Sequence, residues 1–157
     1  MTEAARRKFL VVVDETPECK VALRFAARRA EHTGGVVTLL HVIEPADFQH
    51  WSSVERVMRE EAMKEAEAIV HSAAREVNAL DGLTPEIVIR EGKKADELLT
   101  FLQEDPAISI IVLAAGTGKE GPGPLVSAVA GEASRSYPIP VTIVPGSLSD
   151  AQVDALA

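Results

Sequence analysis

A glycine-rich segment in the last third of the chain has the residue types needed to hold a phosphate. It reads Gly-Thr-Gly-Lys-Glu-Gly-Pro-Gly-Pro from Gly116 to Pro124 and directly follows the apolar run 108–115. Glycines let backbone N–H groups converge on one point, and the start of a helix adds the positive end of its dipole. This order of residues predicts a buried strand, then a phosphate-binding loop, then a helix.

The spacing in this segment differs from that of the best-known phosphate motifs. A Walker A motif would place a glycine at Leu113 and a serine or threonine at Glu120. A dinucleotide fingerprint would follow the first strand, but residues 14–18 contain no glycine. A phosphoryl-accepting receiver domain would need an acceptor aspartate and a late lysine where Glu91-Gly92 and Pro145-Gly146 stand. All three classes are therefore disfavoured.

Nucleophilic and metal-dependent chemistry is also disfavoured. The sequence has no Gly-x-Ser-x-Gly elbow, and its four histidines fall on different predicted segments: His32, His41, His50 and His71. The single cysteine, Cys19, excludes an internal disulfide and a cysteine-built zinc site, and we expect it to pack in the first turn of a helix. We predict no catalytic residue and no metal ion, and we interpret His41 as a hydrogen-bonded residue of a strand.

Asp14 is an acidic residue well placed for a ligand, because it follows the first apolar run and precedes a helix. Ligands of open parallel sheets collect beyond the carboxyl ends of the strands, where the strand order switches. The carboxylate could accept hydrogen bonds from a ribose or an adenine, or it could simply cap the following turn. The residues alone leave both roles open.

Apolar runs alternate with helical patterns along the chain. The apolar runs comprise residues 9–13, 36–43, 87–89, 108–115 and 141–144. The helical patterns cover about residues 17–33, 52–78, 94–104 and 125–136, with Thr16-Pro17 as the first N-cap and first helical residue. Runs without polar alternation are typical of strands covered on both faces. The alternation predicts parallel strands with right-handed crossovers, and therefore a single α/β domain built as a three-layer sandwich.

Length and charge narrow the class of protein further. The chain has 157 residues, 46% of them hydrophobic, which suits one domain with a core at about 6–146 and a loosely held C-terminal tail at 147–157. The formal charge of −8 disfavours binding to nucleic acid or to an anionic membrane. The first apolar run, 9–13, is too short for a signal peptide or a membrane span, so we expect a cytoplasmic protein.

With its segments laid out in this way, the chain resembles the universal stress protein family over nearly its whole length. The resemblance lies in residues 9–17, 39–44, 92–102 and 127–145. It implies a five-stranded parallel sheet in the order 3-2-1-4-5 and a role in the stress response. It also implies a homodimer formed through the last strand, by Val141, Thr142, Ile143 and Val144.

ATP-binding members of this family are similar to one another in a Gly-x2-Gly-x9-Gly-(Ser/Thr) motif after the fourth strand. Gly118, Gly121 and Gly131 match the glycine spacing here, but Glu132 follows the last glycine. An alignment on Val129-Ala130 and Pro140-Val141 instead puts Ser127-Ala128 at the Gly-(Ser/Thr) pair. We prefer this second alignment, in which a glycine and a phosphate-contacting hydroxyl are both lost.

The resemblance implies a set of candidate nucleotide-binding residues. They are Val13, Asp14, Val42, Gly116, Thr117, Gly118, Lys119, Ser127 and Ala128. Pro122 and Pro124 remove two amide donors from the loop, and Glu120 adds negative charge. We therefore expect weakened or absent adenine-nucleotide binding, with AMP preferred over ATP.

These observations predict a non-enzymatic regulatory module that acts on an unidentified protein partner. The alternative is an ATP- or AMP-binding nucleotide sensor with slow ATP hydrolysis or autophosphorylation.

Overall fold

The computed structural model describes residues 6–45, 52–131 and 137–157. Its strands are β1 (Lys8–Val12), β2 (Val36–Ile43), β3 (Glu86–Glu91), β4 (Ile108–Ala115) and β5 (Val141–Pro145). Its helices are α1 (Cys19–Thr33), α2 (Ser52–Asp81), α3 (Lys94–Glu104), α4 (Pro124–Ala130) and α5 (Asp150–Leu156). The strands form one parallel sheet in the order β3-β2-β1-β4-β5, which confirms the predicted fold.

Helices cover both faces of the sheet, but with side chains of different size. On the face of α1 and α2, α1 contributes four buried alanines: Ala22, Ala26, Ala27 and Ala30. On the face of α3 and α4, α3 contributes Leu98, Phe101 and Leu102. Leu98 is fully buried, and burial of one leucine side chain contributes about 1.5–3 kcal/mol to stability. The alanines let α1 lie close to β1, which brings the start of α1 to the carboxyl edge of the sheet.

The start of α1 differs from the prediction. Thr16 is not its N-cap, because Asp14 Oδ1 accepts hydrogen bonds from the Thr16 amide (2.9 Å) and the Thr16 hydroxyl. A short turn follows, in which the Cys19 amide donates to the Thr16 carbonyl at 3.2 Å. The helix therefore begins at Cys19, with Glu18 at the N-cap position and Gly34 (φ 70°) at the C-cap.

The C-terminal segment also differs from the prediction. The predicted loose tail at 147–157 instead contains α5, which begins with a reciprocal capping box between Ser149 and Gln152. Val153 is buried, and the Asp154 carboxylate accepts hydrogen bonds from Arg24 and Arg28 of α1. These contacts hold the segment against α1.

The remaining differences concern the ends of helices. α2 continues to Asp81 and ends at Gly82 (φ 74°), whose amide donates to the Asn78 carbonyl. The helix predicted at about 125–136 begins at Pro124 and ends at Ala130, because Gly131 has an extended backbone (φ −95°, ψ −154°); residues 132–136 lie outside the described residues. Among the helices of the described ranges, none is long and apolar enough to cross a membrane.

Candidate ligand site at the carboxyl edge of the sheet

The chain leaves β1 at the point where the strand order switches, since β1 lies between β2 and β4. The Val13 amide donates to the Leu40 carbonyl at 2.7 Å, and the Val13 carbonyl accepts from His41 Nδ1 at 2.7 Å. A carbonyl oxygen can only accept, so His41 Nδ1 is the donor of this bond. His41 is thus a hydrogen-bonded strand residue, as predicted, and it fixes the backbone that carries Asp14.

Asp14 holds the turn that follows β1. Its Oδ1 accepts from both donors of Thr16, which is an Asx turn. The same side chain lines two cavities at this edge of the sheet. The turn-capping role predicted as one of two alternatives is therefore present, and the carboxylate also faces space that a ligand could occupy.

The glycine-rich segment after β4 folds back onto its own backbone. The Gly116 amide donates to the Pro122 carbonyl at 3.1 Å, and the Gly121 amide donates to the Gly118 carbonyl at 3.2 Å. A Cβ atom at Gly116 would lie 2.8 Å from the Gly121 carbonyl oxygen. Gly121 and Gly123 have φ angles of 87° and 105°. Its glycines therefore allow the loop to close, and two of its amides are satisfied within it.

A small cavity borders the C-terminal end of this closed loop. Its volume is about 90 Å³, and it is lined by Asp14, Glu18 and Lys94 together with residues 122–126. Ligand pockets usually measure about 300–1,000 Å³. In this conformation the cavity is therefore too small for an adenosine.

Two larger clefts lie on the other side of the switch point. One, of about 370 Å³, includes Val13 and Asp14 and lies between α1 and α2. The other, of about 340 Å³, includes Val42 and lies between the end of β2 and α2. The structure thus divides the predicted residues into two groups. Val13, Asp14 and Val42 line these clefts. The others line none of the three cavities; they are Gly116, Thr117, Gly118, Lys119, Ser127 and Ala128.

The charge around these three cavities is mainly negative. Within the described residues, their carboxylates are Asp14, Glu15, Glu18, Glu44, Glu65 and Glu76. Their cations are Lys20 and Lys94. Like charges repel, so this edge of the sheet opposes a ligand with several phosphates.

The sequence reasoning did not identify Glu18 and Lys94. Lys94 reaches this edge because the Gly92 amide donates to the Ile43 carbonyl at 2.9 Å, and its own amide donates to Glu44 Oε1 at 3.2 Å. The strand order 3-2-1-4-5 contained a usable signal, since it places the end of β3 beside the end of β2. Glu18 has no comparable signal, because its position depends on the turn that Asp14 stabilises.

Cys19 is not poised for covalent chemistry. It lies in the first turn of α1, as predicted, and it is buried. Burial raises the pKa of its thiol to about 12, so the thiol stays protonated near neutral pH. Across the part of the chain that the structure describes, no group of three or more metal-binding side chains is close enough to hold an ion.

Comparison with solved structures gives universal stress proteins. UspA from Lactobacillus plantarum is 20% identical with a TM-score of 0.72, over 90% of this chain and 99% of its own. A universal stress protein in complex with cAMP is 16% identical with a TM-score of 0.64, over 92% and 100%. The universal stress protein from Archaeoglobus fulgidus in complex with dAMP is 20% identical with a TM-score of 0.60, over 90% and 99%.

At these identities the likeness shows a shared fold. None of the curated protein sequences matches this chain. The sequence model of the universal stress protein family, however, matches residues 5–145, which is most of the chain. The chain therefore belongs to the universal stress protein family.

Proposed function

We propose that this protein is a non-enzymatic regulatory module of the stress response that acts by binding a protein partner. In this proposal it binds adenine nucleotides weakly, with AMP-like ligands preferred over ATP. One observation carries the proposal: the loop that would hold the phosphates is closed by its own hydrogen bonds, and the cavity at its C-terminal end measures about 90 Å³.

Opening the loop for a triphosphate would have a cost in free energy. The bonds from the Gly116 amide to Pro122 and from the Gly121 amide to Gly118 would break, at about 0.5–1.5 kcal/mol each. Pro122 and Pro124 supply no replacement donors. The breaking of these two hydrogen bonds would therefore offset part of the free energy that phosphate binding supplies.

Electrostatic repulsion also opposes the binding of ATP. ATP carries more negative charge than AMP, and it would enter an edge of the sheet lined by Asp14, Glu15 and Glu18. Two unit charges of the same sign, 4 Å apart in water, repel each other with an energy of about 1 kcal/mol. Each additional phosphate charge is therefore disfavoured, which supports the preference for AMP.

The opposite side of the switch point supports retention of an adenosine site. Asp14 and Val42 lie at the ends of neighbouring strands and line open clefts. The relatives in complex with cAMP and dAMP each hold an adenine nucleotide with one phosphate. A ligand of this kind would use Asp14 and the backbone at Val42 without relying on the closed loop.

The experiment is to denature freshly purified protein and identify the released small molecules by mass spectrometry. We expect no ATP, and at most AMP in less than equimolar amount. ATP recovered at one molecule per chain would contradict the proposal. Heat-treated buffer from a parallel purification without the protein is the control.

A nucleotide sensor with slow ATP hydrolysis or autophosphorylation is the second candidate. It is favoured by the exposed tip of the loop, where Thr117, Gly118 and Lys119 face solvent and a Cβ at Gly118 would meet nothing within 4 Å. Incubation with ATP labelled at the γ-phosphate distinguishes the two candidates. Label on the protein, or phosphate release above that of a Lys119→Ala variant, would favour the sensor.

We also propose that the protein forms a homodimer through β5. This strand is one edge of the sheet, and its Ile143 side chain is 40% exposed. The Ile111 amide donates to Pro140 and the Gly146 amide donates to Ala115, so alternation directs the Thr142 amide towards β4 and the Ile143 amide outward. Ile143→Pro should therefore lower the molar mass in light scattering at micromolar concentration. A monomeric mass of the unmodified protein would contradict the dimer.

A further inference from the structure

One side of α2 combines exposed apolar groups with acidic groups along much of its length. The residues concerned lie three or four positions apart, so they share one side of the helix. We call this side the α2 groove face; it comprises Val54, Met58, Glu61, Ala62, Glu65, Ile69, Ser72 and Glu76. From Val54 to Glu76 it is about 33 Å long, at 1.5 Å of rise per residue.

The C-terminal part of the α2 groove face is one wall of a groove. The clefts of about 370 and 340 Å³ follow one another along it and share Glu15, Glu65 and Ile69. The facing wall is formed by Lys20 and Leu23 of α1 in the larger cleft. The shared residues make the two clefts one continuous depression.

The N-terminal part of the α2 groove face exposes large apolar side chains. Val54 is 52% exposed and Met58 is 41% exposed. Both lie on the same side of the helix as Ala62 and Ile69, which line the groove. The apolar surface therefore extends from the groove onto the N-terminal part of α2, and such surfaces mark interaction sites. Methionine suits such a site because its side chain adapts to different partners.

Every charged residue on the α2 groove face is acidic: Glu61, Glu65 and Glu76. Among the described residues, Glu65, Glu76 and the facing Glu15 take part in no ion pair. The chain as a whole carries a net charge of −8. An apolar strip bordered by unpaired carboxylates is complementary to an apolar strip bordered by lysine or arginine.

We propose that the α2 groove face binds an amphipathic basic helix of a partner protein. This inference rests on the proposed function, because it assigns the partner-binding role to one surface and states the chemistry of the partner. Apolar side chains of the partner pack on Val54, Met58 and Ile69, as in other helix-in-groove complexes. Its basic side chains pair with Glu61, Glu65 and the other carboxylates of the groove.

The test uses a fluorescein-labelled peptide of about 18 residues, with leucine and lysine at helical spacing, which as a helix covers most of the face. A second peptide has glutamate in place of every lysine. We expect the full chain to bind the leucine–lysine peptide in fluorescence anisotropy, about tenfold more weakly at high salt, and not to bind the glutamate peptide. No binding of the first peptide, or equal binding of both, would overturn the proposal.

Two pairs of variants on α2 locate the binding surface. Met58→Gln is matched by Met63→Gln, because both methionines are about equally exposed, at 41% and 40%, but Met63 lies on another side of the helix. Glu65→Lys is matched by Glu67→Lys, an exposed position also off the face. We expect Met58→Gln and Glu65→Lys to weaken peptide binding about fivefold, and their controls to leave it unchanged. Equal losses of affinity in a pair would overturn the assignment.

Other occupants of the face would also overturn the proposal. A second copy of this chain is the occupant if light scattering gives a doubled mass that Met58→Gln returns to the monomer. The chain's own residues 46–51 are the occupant if the peptide binds only after Phe48→Ser and Trp51→Ser. This segment contains large apolar residues that directly precede α2 in the sequence.

Failure of this inference can be separated from failure of the proposed function. If the peptide does not bind but the unmodified and Met58→Gln chains capture the same protein from a lysate, only the α2 groove face is the wrong surface. If neither chain captures a protein and the peptide does not bind, both proposals fail.

Discussion

The two sides of the switch point differ in the space that they leave for a ligand. Between the ends of β1 and β2 and α2, clefts of about 370 and 340 Å³ remain open. Beside β4, the segment from Gly116 to Pro124 is closed by its own hydrogen bonds, and the cavity bordered by residues 122–126 measures about 90 Å³. A glycine-rich loop can therefore bind phosphate only if its amides point away from the loop itself. Here two of them bond to carbonyls of the same loop.

Pro122 is central to this difference. It has no amide to offer a phosphate, and its carbonyl accepts from the Gly116 amide. Its neighbours Gly121 and Gly123 have positive φ angles, which direct the chain back towards β4. The glycine-rich segment that suggested a phosphate site therefore also contains the residues that close the loop.

The largest expected effect is on the closed side, at the junction of β5 with β4. A Cβ atom at Gly146 would overlap the Ala115 carbonyl oxygen and lie 2.8 Å from Glu18 Cβ. We expect Gly146→Ala to lower the free energy of unfolding by about 3 kcal/mol in urea titration. The control is Gly118→Ala, where a Cβ would meet nothing within 4 Å. Equal stability of both variants would contradict the packing described for this side.

Restoring phosphate-contacting residues at positions 127 and 128 is expected to have the next largest effect, on the affinity for ATP. The double change Ser127→Gly with Ala128→Ser restores the residues that the resemblance implies for phosphate contact. Since a hydrogen bond to a charged group contributes about 1.5–3 kcal/mol, calorimetry should show ATP binding on the order of tenfold tighter. Ala130→Ser, on an exposed position of the same helix, is the control. An unchanged ATP affinity would show that loop closure alone limits binding, or that the preferred alignment is wrong.

A smaller effect is expected from one charge near the closed loop. Glu18 lines the small cavity, and its carboxylate faces Gly116, where a Cβ atom would lie 3.2 Å from Glu18 Oε1. Glu18→Gln should tighten AMP binding about threefold in calorimetry, because one repulsive charge is removed. Glu67→Gln on exposed α2 should leave the AMP affinity unchanged. Weaker AMP binding by Glu18→Gln would mean that the carboxylate contacts the ligand directly.

Changes in α5 are expected to have the smallest effect on ligand affinity. This helix packs against α1 and lines none of the three cavities. Hydrogen bonds from Arg24 and Arg28 hold the pKa of Asp154 well below its ordinary value. A lowered pKa in the folded state means that this contact stabilises α5 fully above about pH 4, the ordinary value for aspartate. The stabilisation is lost as pH falls from there through the lowered value. The protection factors of the α5 amides, which are corrected for the intrinsic change of the exchange rate with pH, should therefore stay constant down to about pH 4 and fall below it.

The variant Asp154→Asn checks the same contact at neutral pH. It should accelerate exchange in α5 while AMP affinity stays constant. A change in AMP affinity would show that α5 acts on the ligand site through α1.

The regular elements could be predicted because each has a local pattern. β2, α3 and β4 have the predicted bounds, since unbroken apolar runs and helical spacing are visible within each segment. α5 also had a local signal, the Ser149 and Gln152 capping box, but its short apolar face did not stand out. The start of α1 could not be predicted, because it depends on the Asx turn in which Asp14 accepts from the Thr16 amide and hydroxyl and which places Glu18 at the N-cap position.

The candidate site was predictable only in part. The rule for strand ends predicted that Asp14 and Val42 would lie at this edge, and the structure places both beside open clefts. Closure of the loop depends on a bond between Gly116 and Pro122, and no residue pattern encodes it. The groove along α2 likewise depends on how helices pack, which periodicity alone does not specify.

Calorimetric titration of the unmodified protein with adenosine, AMP and ATP compares the open and the closed side in one experiment. If the adenosine side is open and the phosphate side closed, the three ligands should bind weakly, with ATP no tighter than AMP. ATP bound tenfold or more tightly than AMP, which corresponds to about 1.4 kcal/mol, would contradict this account.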